Sequence, residues 1–290
     1  MHTSVYQSYA KINLGLSVLR KREDGYHDIA TIFQQVDLHD TLTFESIHSS
    51  EIVIVSDNPE LPKDRTNLVV KAINKLFSHT NQHLGVRIRI EKRIPMGGGL
   101  GGGSSNAAVA LIAVNSLLRN PLSQDELVRI GAEIGSDVPF FFSGGTALGE
   151  GRGEKLTPLS WNLPGWICLL CPGIHISTAW AYNQMKIALT NEEKFTKFKA
   201  LFQEVSPYAL DKLENDFEGM VFQRHPILLT FKELLRERGA FYASMSGSGS
   251  SLYGLFSSYE EADAVRSFFQ KEKGVSAFVC KPMASSRTVE

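Results

Sequence analysis

The chain has 290 residues, of which 43 % are hydrophobic and 21 % are charged. This is an ordinary globular composition, and the length suits one large domain or two moderate ones. The formal net charge of -1 argues against a basic nucleic-acid surface as the main function, although a local basic pocket for a phosphate remains compatible with it.

The N-terminal residues lack the charged-then-apolar order of a signal peptide, and no run of about 18 apolar residues predicts a membrane span. The three cysteines are Cys168, Cys171 and Cys280. This low, odd count indicates a reducing compartment, so we expect a cytoplasmic protein without a disulfide framework. Cys168 and Cys171 form a CxxC pair, but they lie in the apolar run WICLLCPG, and no second CxxC or zinc-spaced histidine pair follows. We therefore expect core thiols rather than a redox or zinc site.

The first part of the chain is predicted to be rich in strands. Runs of β-branched and aromatic residues predict strands at 9–19, 29–38, 41–47, 51–56 and 86–94. Residues 66–77 predict a helix with Thr66 or Asn67 as its N-cap. A polar turn that contains Gly25 separates the first two strands.

Helices dominate the segment after residue 103. Residues 104–118 predict an alanine-rich helix, and residues 123–135 predict a second helix. Ser123 and Glu126 have the spacing of a capping box in the second helix. Residues 137–151 then indicate a strand and a turn.

The last part of the chain, from about Trp161, alternates strands with helices. Strands are predicted at 166–172, 241–246, 250–256 and 275–281, and helices at 177–189, at further positions up to about Arg238, and at 259–273. This order is typical of helices packed on a largely antiparallel sheet, which is an α+β architecture.

Residues 95–108 read PMGGGLGGGSSNAA, and six of the seven residues 97–103 are glycine. Ordering so many glycines on folding costs conformational entropy, so we expect the loop to have a role that requires them. Gly97, Gly99 and Gly102 satisfy GxGxxG. However, the dinucleotide fingerprint needs a strand after the helix, and here a second helix follows. A Walker A loop needs Gly-Lys-Ser/Thr, which is missing from the run.

Two interpretations of the glycine run remain. It is either a structural loop that only glycine fits, or a phosphate loop that leads into a helix N-terminus. Glycines let backbone N–H groups converge on an anion, and the helix that follows adds its dipole and free N–H groups. Ser104 and Ser105 add hydroxyl groups. This chemistry favours a phosphate loop.

Three ordered motifs resemble the GHMP kinases, the family of galactokinase and of homoserine, mevalonate and phosphomevalonate kinases. They are YAKINLGL near the N-terminus, PMGGGLGGGSSNAA, and SMSGSGSSLYGLF near the C-terminus. The resemblance implies an α+β, two-domain GHMP kinase fold, with a ribosomal-protein-S5-domain-2-like N-terminal domain and a ferredoxin-like C-terminal domain. Residues 1–160 would then bind ATP, and residues 161–290 would complete the substrate site.

The resemblance also implies ATP as co-substrate and Mg²⁺. The expected ATP-binding residues are Asn67, Lys92, Pro95, Met96, Gly97, Gly98, Gly99, Leu100, Gly101, Gly102, Gly103, Ser104 and Ser105. The sequence has no acidic metal motif. We therefore expect phosphate oxygens, water and the Ser104 hydroxyl, rather than a set of protein ligands, to hold the Mg²⁺.

Two residues are implied to carry the catalysis. Asp137 alone would be read as a turn or cap residue, and the resemblance makes it the group that accepts the proton of the substrate hydroxyl. Lys11 lies in an apolar strand and, judged alone, fits either an exposed edge lysine or a lysine with a partner charge. By resemblance it pairs with Asp137 and stabilises developing charge. Asn13 shares the strand face of Lys11 and is expected to contact the substrate.

A further set of motifs resembles those family members that phosphorylate a small alcohol linked to cytidine diphosphate. These motifs are DGYH, GSDVPFF, GEGRGE and PGIHIST. The implied substrate residues are Tyr26, His27, Phe33, Thr178 and Tyr182. Tyr26 and Tyr182 would stack on the cytosine and His27 would bond its polar edge, whereas Phe33 is equally compatible with a core role. Position 182 has tyrosine where those members are expected to have phenylalanine, and stacking remains intact.

Three alternatives stay open from the sequence. The chain could be a GHMP kinase for another small alcohol, a nucleotide-binding regulator, or an RNA-binding protein. Lys11 together with Asp137 argues against the regulator, and the neutral charge argues against RNA. We expect no nucleic-acid or membrane partner, and a monomer or weak homodimer.

Overall fold

The structure is a computed structural model that describes residues 3–185, 196, 210 and 212–284. The chain forms two compact units. The first unit comprises Met1–Ala10, Leu38–Met96 and Gly101–Ser143, and the second comprises Lys11–Asp37, Gly97–Leu100 and Gly144–Glu290. Both units contain helices and strands, so the predicted α+β class is confirmed.

Two long strands run through both units. They are β1 (Thr3–Lys21) and its partner β2 (His27–Ile47). The sequence predicts separate strands at 29–38 and 41–47, and this is wrong, because β2 continues through residue 40. The carboxylate of Asp40 is buried and accepts hydrogen bonds from the backbone N–H groups of Arg93 and Ile94 at 2.8 and 2.9 Å. These bonds allow a charged residue to sit inside a strand.

The first unit pairs a short sheet with helices. Its remaining elements are β3 (Ile52–Val55), α1 (Leu68–Thr80), β4 (Gly85–Glu91), α2 (Gly102–Leu117) and α3 (Gln124–Ile134). Residues 41–47 of β2 pair antiparallel with β4, and β3 pairs parallel with β4. Asn67 caps α1, and Ser123 and Glu126 form the predicted capping box of α3.

The segment after α3 differs from the prediction. Residues Val138–Phe142 form a buried 3₁₀ helix, not the start of a strand. Pro139 explains this difference, since proline cannot donate to a sheet ladder, whereas its fixed φ suits the first turn of a helix. The next strand, β5 (Thr146–Gly151), begins only after Gly144 and Gly145, and it belongs to the second unit.

The second unit contains two groups of antiparallel strands. Residues 29–34 of β2 pair with β5, and β5 pairs with β6 (Lys155–Pro158). The other group has the order β10–β7–β9–β8 and is antiparallel throughout. Its strands are β7 (Trp166–Cys171), β8 (Tyr242–Met245), β9 (Leu252–Phe256) and β10 (Ser276–Cys280). The predicted antiparallel sheet is therefore confirmed.

Helices of the second unit follow the predicted order where they are described. They are α4 (Thr178–Gln184), α5 (Glu218–Arg224), α6 (Pro226–Glu237) and α7 (Tyr259–Phe269). The end of the predicted helix 177–189 and most of the following segment lie outside the described residues. Within the described part of the chain, the helices are too short or too polar to cross a bilayer.

The cysteines belong to the core of the second unit. Cys168 and Cys171 lie on β7 and Cys280 on β10, and all three are buried and form no disulfide bond. Burial raises the pKa of Cys168 to about 12 and that of Cys171 to about 11, because a thiolate is poorly solvated there. The CxxC pair therefore consists of inert core thiols, as expected.

Candidate active site

Lys11 and Asn13 lie side by side on β1 and are almost completely buried, with exposed fractions of 3 % and 2 %. Lys11 Nζ donates to Asn13 Oδ1 at 2.6 Å and to the carbonyl oxygen of Gly99 at 3.0 Å. Nζ also lies 5.3 Å from the centroid of the Phe33 ring. Lys11 is therefore not an exposed edge lysine. Its ammonium group is held on the face that it shares with Asn13.

The first four glycine-run residues, Gly97–Leu100, lie in the second unit against the C-terminal glycine motif. Ser246 Oγ donates to the Gly99 carbonyl at 3.0 Å, and Ser251 N donates to the Gly98 carbonyl at 3.3 Å. A Cβ atom on Gly99 would lie 2.3 Å from the Ser246 carbonyl oxygen, and one on Gly98 would lie 2.4 Å from Ser251 Oγ. A side chain is thus excluded at Gly99 by the close approach of the Ser246 backbone, whereas at Gly98 it would displace the Ser251 side chain.

The remaining glycines start α2 in the first unit. The N-cap is Gly101, with a left-handed φ of 69°. It has no side chain that could accept from the first N–H groups, whereas Asn67 and Ser123 do so at α1 and α3. The N–H groups of this first turn and the helix dipole suit an anion. This local geometry fits a phosphate loop.

The two serines of the loop are placed differently. Ser105 is 1 % exposed, and its Oγ lies 2.7 Å from Ser8 Oγ, which itself donates to Asn106 Oδ1 at 2.6 Å. Ser104 is partly exposed. The hydroxyl of Ser105 thus faces the interior of the first unit, and Ser104 is the better placed of the two to offer its hydroxyl to a ligand.

Lys92 is buried in an ion pair with Asp40, with 4 % and 0 % of the two side chains exposed. Its ammonium nitrogen lies 3.3 Å from the position of a Cβ atom on Gly102, the first residue of α2. Its positive charge therefore lies beside the start of α2. Whether Lys92 also contacts adenine stays a prediction.

Other predicted residues of the first unit lie on its surface or at element ends. Asn67 accepts from Val69 N at 2.9 Å and donates to the Pro62 carbonyl at 2.6 Å, so its amide already has partners at both ends. Met96 is exposed and Pro95 is partly exposed. Asp137 is half-buried and directly precedes the 3₁₀ helix. It belongs to the first unit, and Lys11 belongs to the second.

His27 and Tyr182 are brought together in the second unit. Their rings are stacked with centroids 5.0 Å apart and planes inclined by 17°. Phe217 meets Tyr182 edge-on at 4.9 Å. Burial and, to a smaller extent, the charge of Lys21 lower the pKa of His27 below its usual 6.5. The imidazole is therefore neutral near pH 7, when one ring nitrogen donates and the other accepts.

The other predicted substrate residues have varied surroundings. Tyr26 is 55 % exposed, and the Arg152 guanidinium carbon lies 4.9 Å from its ring centroid. Phe33 is buried so close to β5 that a Cβ atom on Gly149 would lie 2.5 Å from its ring. Thr178 Oγ1 lies 3.1 Å from Ser248 Oγ. Phe33 therefore has the packing of a core residue, while Tyr26 has a surface free for a ligand on its exposed side.

Sequence reasoning missed Ser8, Asp40 and Arg152. Ser8 and Asp40 are polar residues within strands, and the rule that singled out Lys11 could have singled them out too. Their partners are distant in the sequence, since Ser8 and Asn106 are 98 residues apart and Asp40 and Lys92 are 52 apart. Such pairings cannot be read from local pattern.

Two family models match the chain. The GHMP kinases N terminal domain matches residues 67–145, and the GHMP kinases C terminal model matches residues 198–275. A relative from Chlorobium chlorochromatii, named 4-diphosphocytidyl-2-C-methyl-D-erythritol kinase, is 41 % identical over 261 residues, which cover 89 % of this chain and 90 % of the relative. A relative of the same name from Enterococcus faecalis is 41 % identical over 247 residues, covering 85 % and 87 %.

Solved structures of two kinases also match the chain. The crystal structure of a 4-(cytidine 5'-diphospho)-2C-methyl-D-erythritol kinase matches with a TM-score of 0.78 at 32 % identity, covering 97 % of this chain and 100 % of that one. A homoserine kinase from Cytophaga hutchinsonii matches with a TM-score of 0.73 at 18 % identity, covering 99 % and 96 %. The second likeness bears on the fold alone.

Proposed function

The chain belongs to the GHMP kinases and is a small-molecule phosphotransferase with ATP as co-substrate, and on this premise we propose its acceptor. The acceptor is 4-diphosphocytidyl-2-C-methyl-D-erythritol, an intermediate of the non-mevalonate isoprenoid pathway, and its 2-hydroxyl receives the γ-phosphate of ATP. The observation that carries the proposal is the identity of about 40 % to relatives of that name over most of their length.

The proposed chemistry assigns separate roles to two residues. Asp137 accepts the proton of the 2-hydroxyl as the oxygen attacks the γ-phosphorus. Lys11 stabilises the negative charge that develops on the transferred group. The placement of Lys11 supports its role, because Asn13 and the Gly99 carbonyl hold the ammonium group in one position and positioning is a large part of phosphoryl-transfer catalysis.

The glycine loop is proposed to bind the phosphates of ATP. ATP supplies the phosphoryl group, and the residues 95–105 would surround it, with the first N–H groups of α2 as donors. We propose that Mg²⁺ is held by phosphate oxygens, water and Ser104 Oγ. Asn67 and Lys92 remain proposed neighbours of adenine. The division into an ATP-binding part, residues 1–160, and a substrate-completing part, residues 161–290, is proposed on the same basis.

The cytidine moiety is proposed to bind beside the aromatic cluster of His27, Tyr182 and Tyr26. A stacked ring pair offers a flat apolar surface to a base, and the neutral imidazole of His27 can bond the polar edge of cytosine. Thr178 is proposed to contact the polyol or phosphate region, and Asn13 the reacting end. Phe33 is proposed to support this aromatic cluster through its packing.

A substrate panel tests the proposed function directly. ADP release is measured with purified protein, ATP and Mg²⁺, with the cytidyl substrate, mevalonate and homoserine offered separately. We expect turnover with the cytidyl substrate alone. Turnover of mevalonate or homoserine without turnover of the cytidyl substrate would show that the chain is a GHMP kinase for a different alcohol.

A further inference from the structure

The side chain of Asn215 makes a set of hydrogen bonds that lies outside the three family motifs. Asn215 is buried and forms a parallel bridge with Leu16 of β1. Its Nδ2 donates to the carbonyl oxygens of Met245 and Gly247, both at 2.8 Å, and its Oδ1 accepts from Phe217 N at 3.0 Å. One amide therefore ties two carbonyls of the C-terminal glycine motif to the β1 bridge.

Only an amide fits this position. Backbone carbonyls only accept and a backbone N–H only donates, so the partners fix which end of the Asn215 amide is nitrogen. Both Nδ2 hydrogens are used. An aspartate has the same shape, but its oxygen would face two carbonyl oxygens without a hydrogen to donate.

The two carbonyls that Asn215 holds lie on either side of Ser246. Ser246 Oγ accepts from Asn13 N at 3.2 Å and donates to the Gly99 carbonyl at 3.0 Å. The same Gly99 carbonyl accepts from Lys11 Nζ at 3.0 Å. Asn215 is thus connected to the Lys11 ammonium group through the covalent backbone of Met245–Gly247 and then through the hydrogen bonds of Ser246 and Lys11 to the Gly99 carbonyl.

We propose that Asn215 is a positioning residue for phosphoryl transfer, which it serves by fixing Ser246 and, through it, the Gly99 carbonyl that orients Lys11. This proposal rests on the proposed role of Lys11 in the kinase reaction. Asn215 does not act on the substrate itself. It affects the rate through the position of the groups at the reacting centre, where a displacement of about 1 Å is enough to slow an enzyme about 100-fold.

The first test compares Asn215→Asp with Asn115→Asp. Asn115 is a matched control, because its amide near the end of α2 is equally buried, donates to the Leu122 carbonyl at 2.9 Å and accepts from Leu122 N at 3.2 Å, and has no bond to the C-terminal glycine motif among the described residues. The assay is ADP release with whichever alcohol of the panel the wild-type chain phosphorylates, so a failure of the proposed substrate is seen in the wild type first. We expect kcat of Asn215→Asp to fall by about 10-fold to 100-fold. Asn115→Asp, which carries the same chemical change, should keep kcat near wild type at a melting temperature similar to that of Asn215→Asp.

The second test is a double-mutant cycle of Asn215→Ala and Ser246→Ala, which removes the donors without adding charge. If Asn215 acts through Ser246, the double variant loses no more kcat than Ser246→Ala alone. If the fold-losses in kcat of the two single variants multiplied in the double variant, the proposal would be overturned. An Asn215→Asp variant with wild-type kcat would overturn it too. If neither Asn215 variant folds, the residue is required for folding and the positioning role is rejected.

Discussion

The imidazole ring of His27 lies stacked on the phenol ring of Tyr182, with centroids 5.0 Å apart. Residue 27 lies at the start of β2 and residue 182 lies in α4, so the contact joins two distant parts of the second unit. Stacking on an aromatic ring contributes about 1–3 kcal/mol per base. The pair is therefore a candidate platform for the cytosine of the proposed substrate.

Replacing Tyr182 tests this platform. We expect Tyr182→Ala to raise KM for the cytidyl substrate by about 10-fold or more, because about 1.4 kcal/mol of stacking corresponds to a factor of ten. Tyr182→Phe keeps the ring and serves as the matched control, with KM near wild type. KM for ATP should not change in either variant. An alanine variant with the wild-type KM would place the base elsewhere.

The pH dependence of stability tests the environment of His27. Burial lowers the pKa of His27 below 6.5, its value in the unfolded chain. The unfolded chain therefore takes up the proton first, so this contribution to stability is present above pH 6.5 and is lost as the pH falls through the lowered pKa. We expect His27→Phe, which keeps a ring against Tyr182, to lose less stability than wild type as the pH falls below 6.5. Urea unfolding at several pH values measures this, and equal pH slopes would contradict it.

The glycine requirement of the loop is tested by Gly99→Ala. Gly99 has a φ of 79°, and an added Cβ atom would lie 2.3 Å from the Ser246 carbonyl oxygen. We expect a loss of about 1–3 kcal/mol from backbone strain alone, a lower melting temperature and a lower kcat. Gly219→Ala is the control, because Gly219 lies in α5 with nothing within 4 Å of an added Cβ atom. This control should be as stable as wild type or slightly more so, and a Gly99 variant that behaves like it would refute the close-approach explanation.

The buried ion pair of Lys92 and Asp40 predicts strong coupling between the two residues. Asp40→Asn leaves a buried ammonium group without its counter-charge, and Lys92→Met leaves the carboxylate with the N–H groups of Arg93 and Ile94 but without its counter-charge. Removing one partner of such a pair costs about 3–5 kcal/mol, whereas replacing both is often far less harmful. We expect each single variant to be strongly destabilised in urea and the double variant to recover much of the loss. If the losses in the free energy of unfolding of the two single variants simply added in the double variant, the two residues would not be coupled.

Local pattern predicted much of this protein because many of its determinants are local. Alternation placed Lys11 and Asn13 on one face, and cap residues placed the start of α1 and α3. The errors arose where distant partners decide. Asp40 stays inside β2 because the N–H groups of residues 93 and 94 satisfy it, 53 and 54 positions away.

The same reasoning applies to the candidate site. The glycine run led to the prediction of a phosphate loop, and its resemblance to a known family extended the prediction to individual residues. The reason for its glycines was only partly accessible, because the backbone that excludes a side chain at Gly99 comes from Ser246, 147 positions later in the chain. Asn215 could not be predicted from the sequence, because its hydrogen-bond partners are backbone groups, two carbonyls and one N–H, that any sequence would supply.

The assignment of proton acceptor and charge stabiliser is tested by Asp137→Asn and Lys11→Met. An amide cannot take the hydroxyl proton, so we expect kcat of Asp137→Asn to fall by about 100-fold to 10,000-fold, the range for loss of a general base. Lys11→Met removes the charge while keeping a similar apolar stem, and a comparable fall in kcat is expected.

ATP binding separates these effects from a general loss of structure. Titration calorimetry with a non-hydrolysable ATP analogue should give near wild-type affinity for Asp137→Asn, because the loop and α2 remain intact. Asp125→Asn is the matched control, since Asp125 is an exposed carboxylate in the first turn of α3 in the same unit, and it should keep wild-type kcat. If Asp137→Asn also keeps a normal rate, Asp137 does not accept the proton, and the reaction must proceed with Lys11 and the loop alone or with another base.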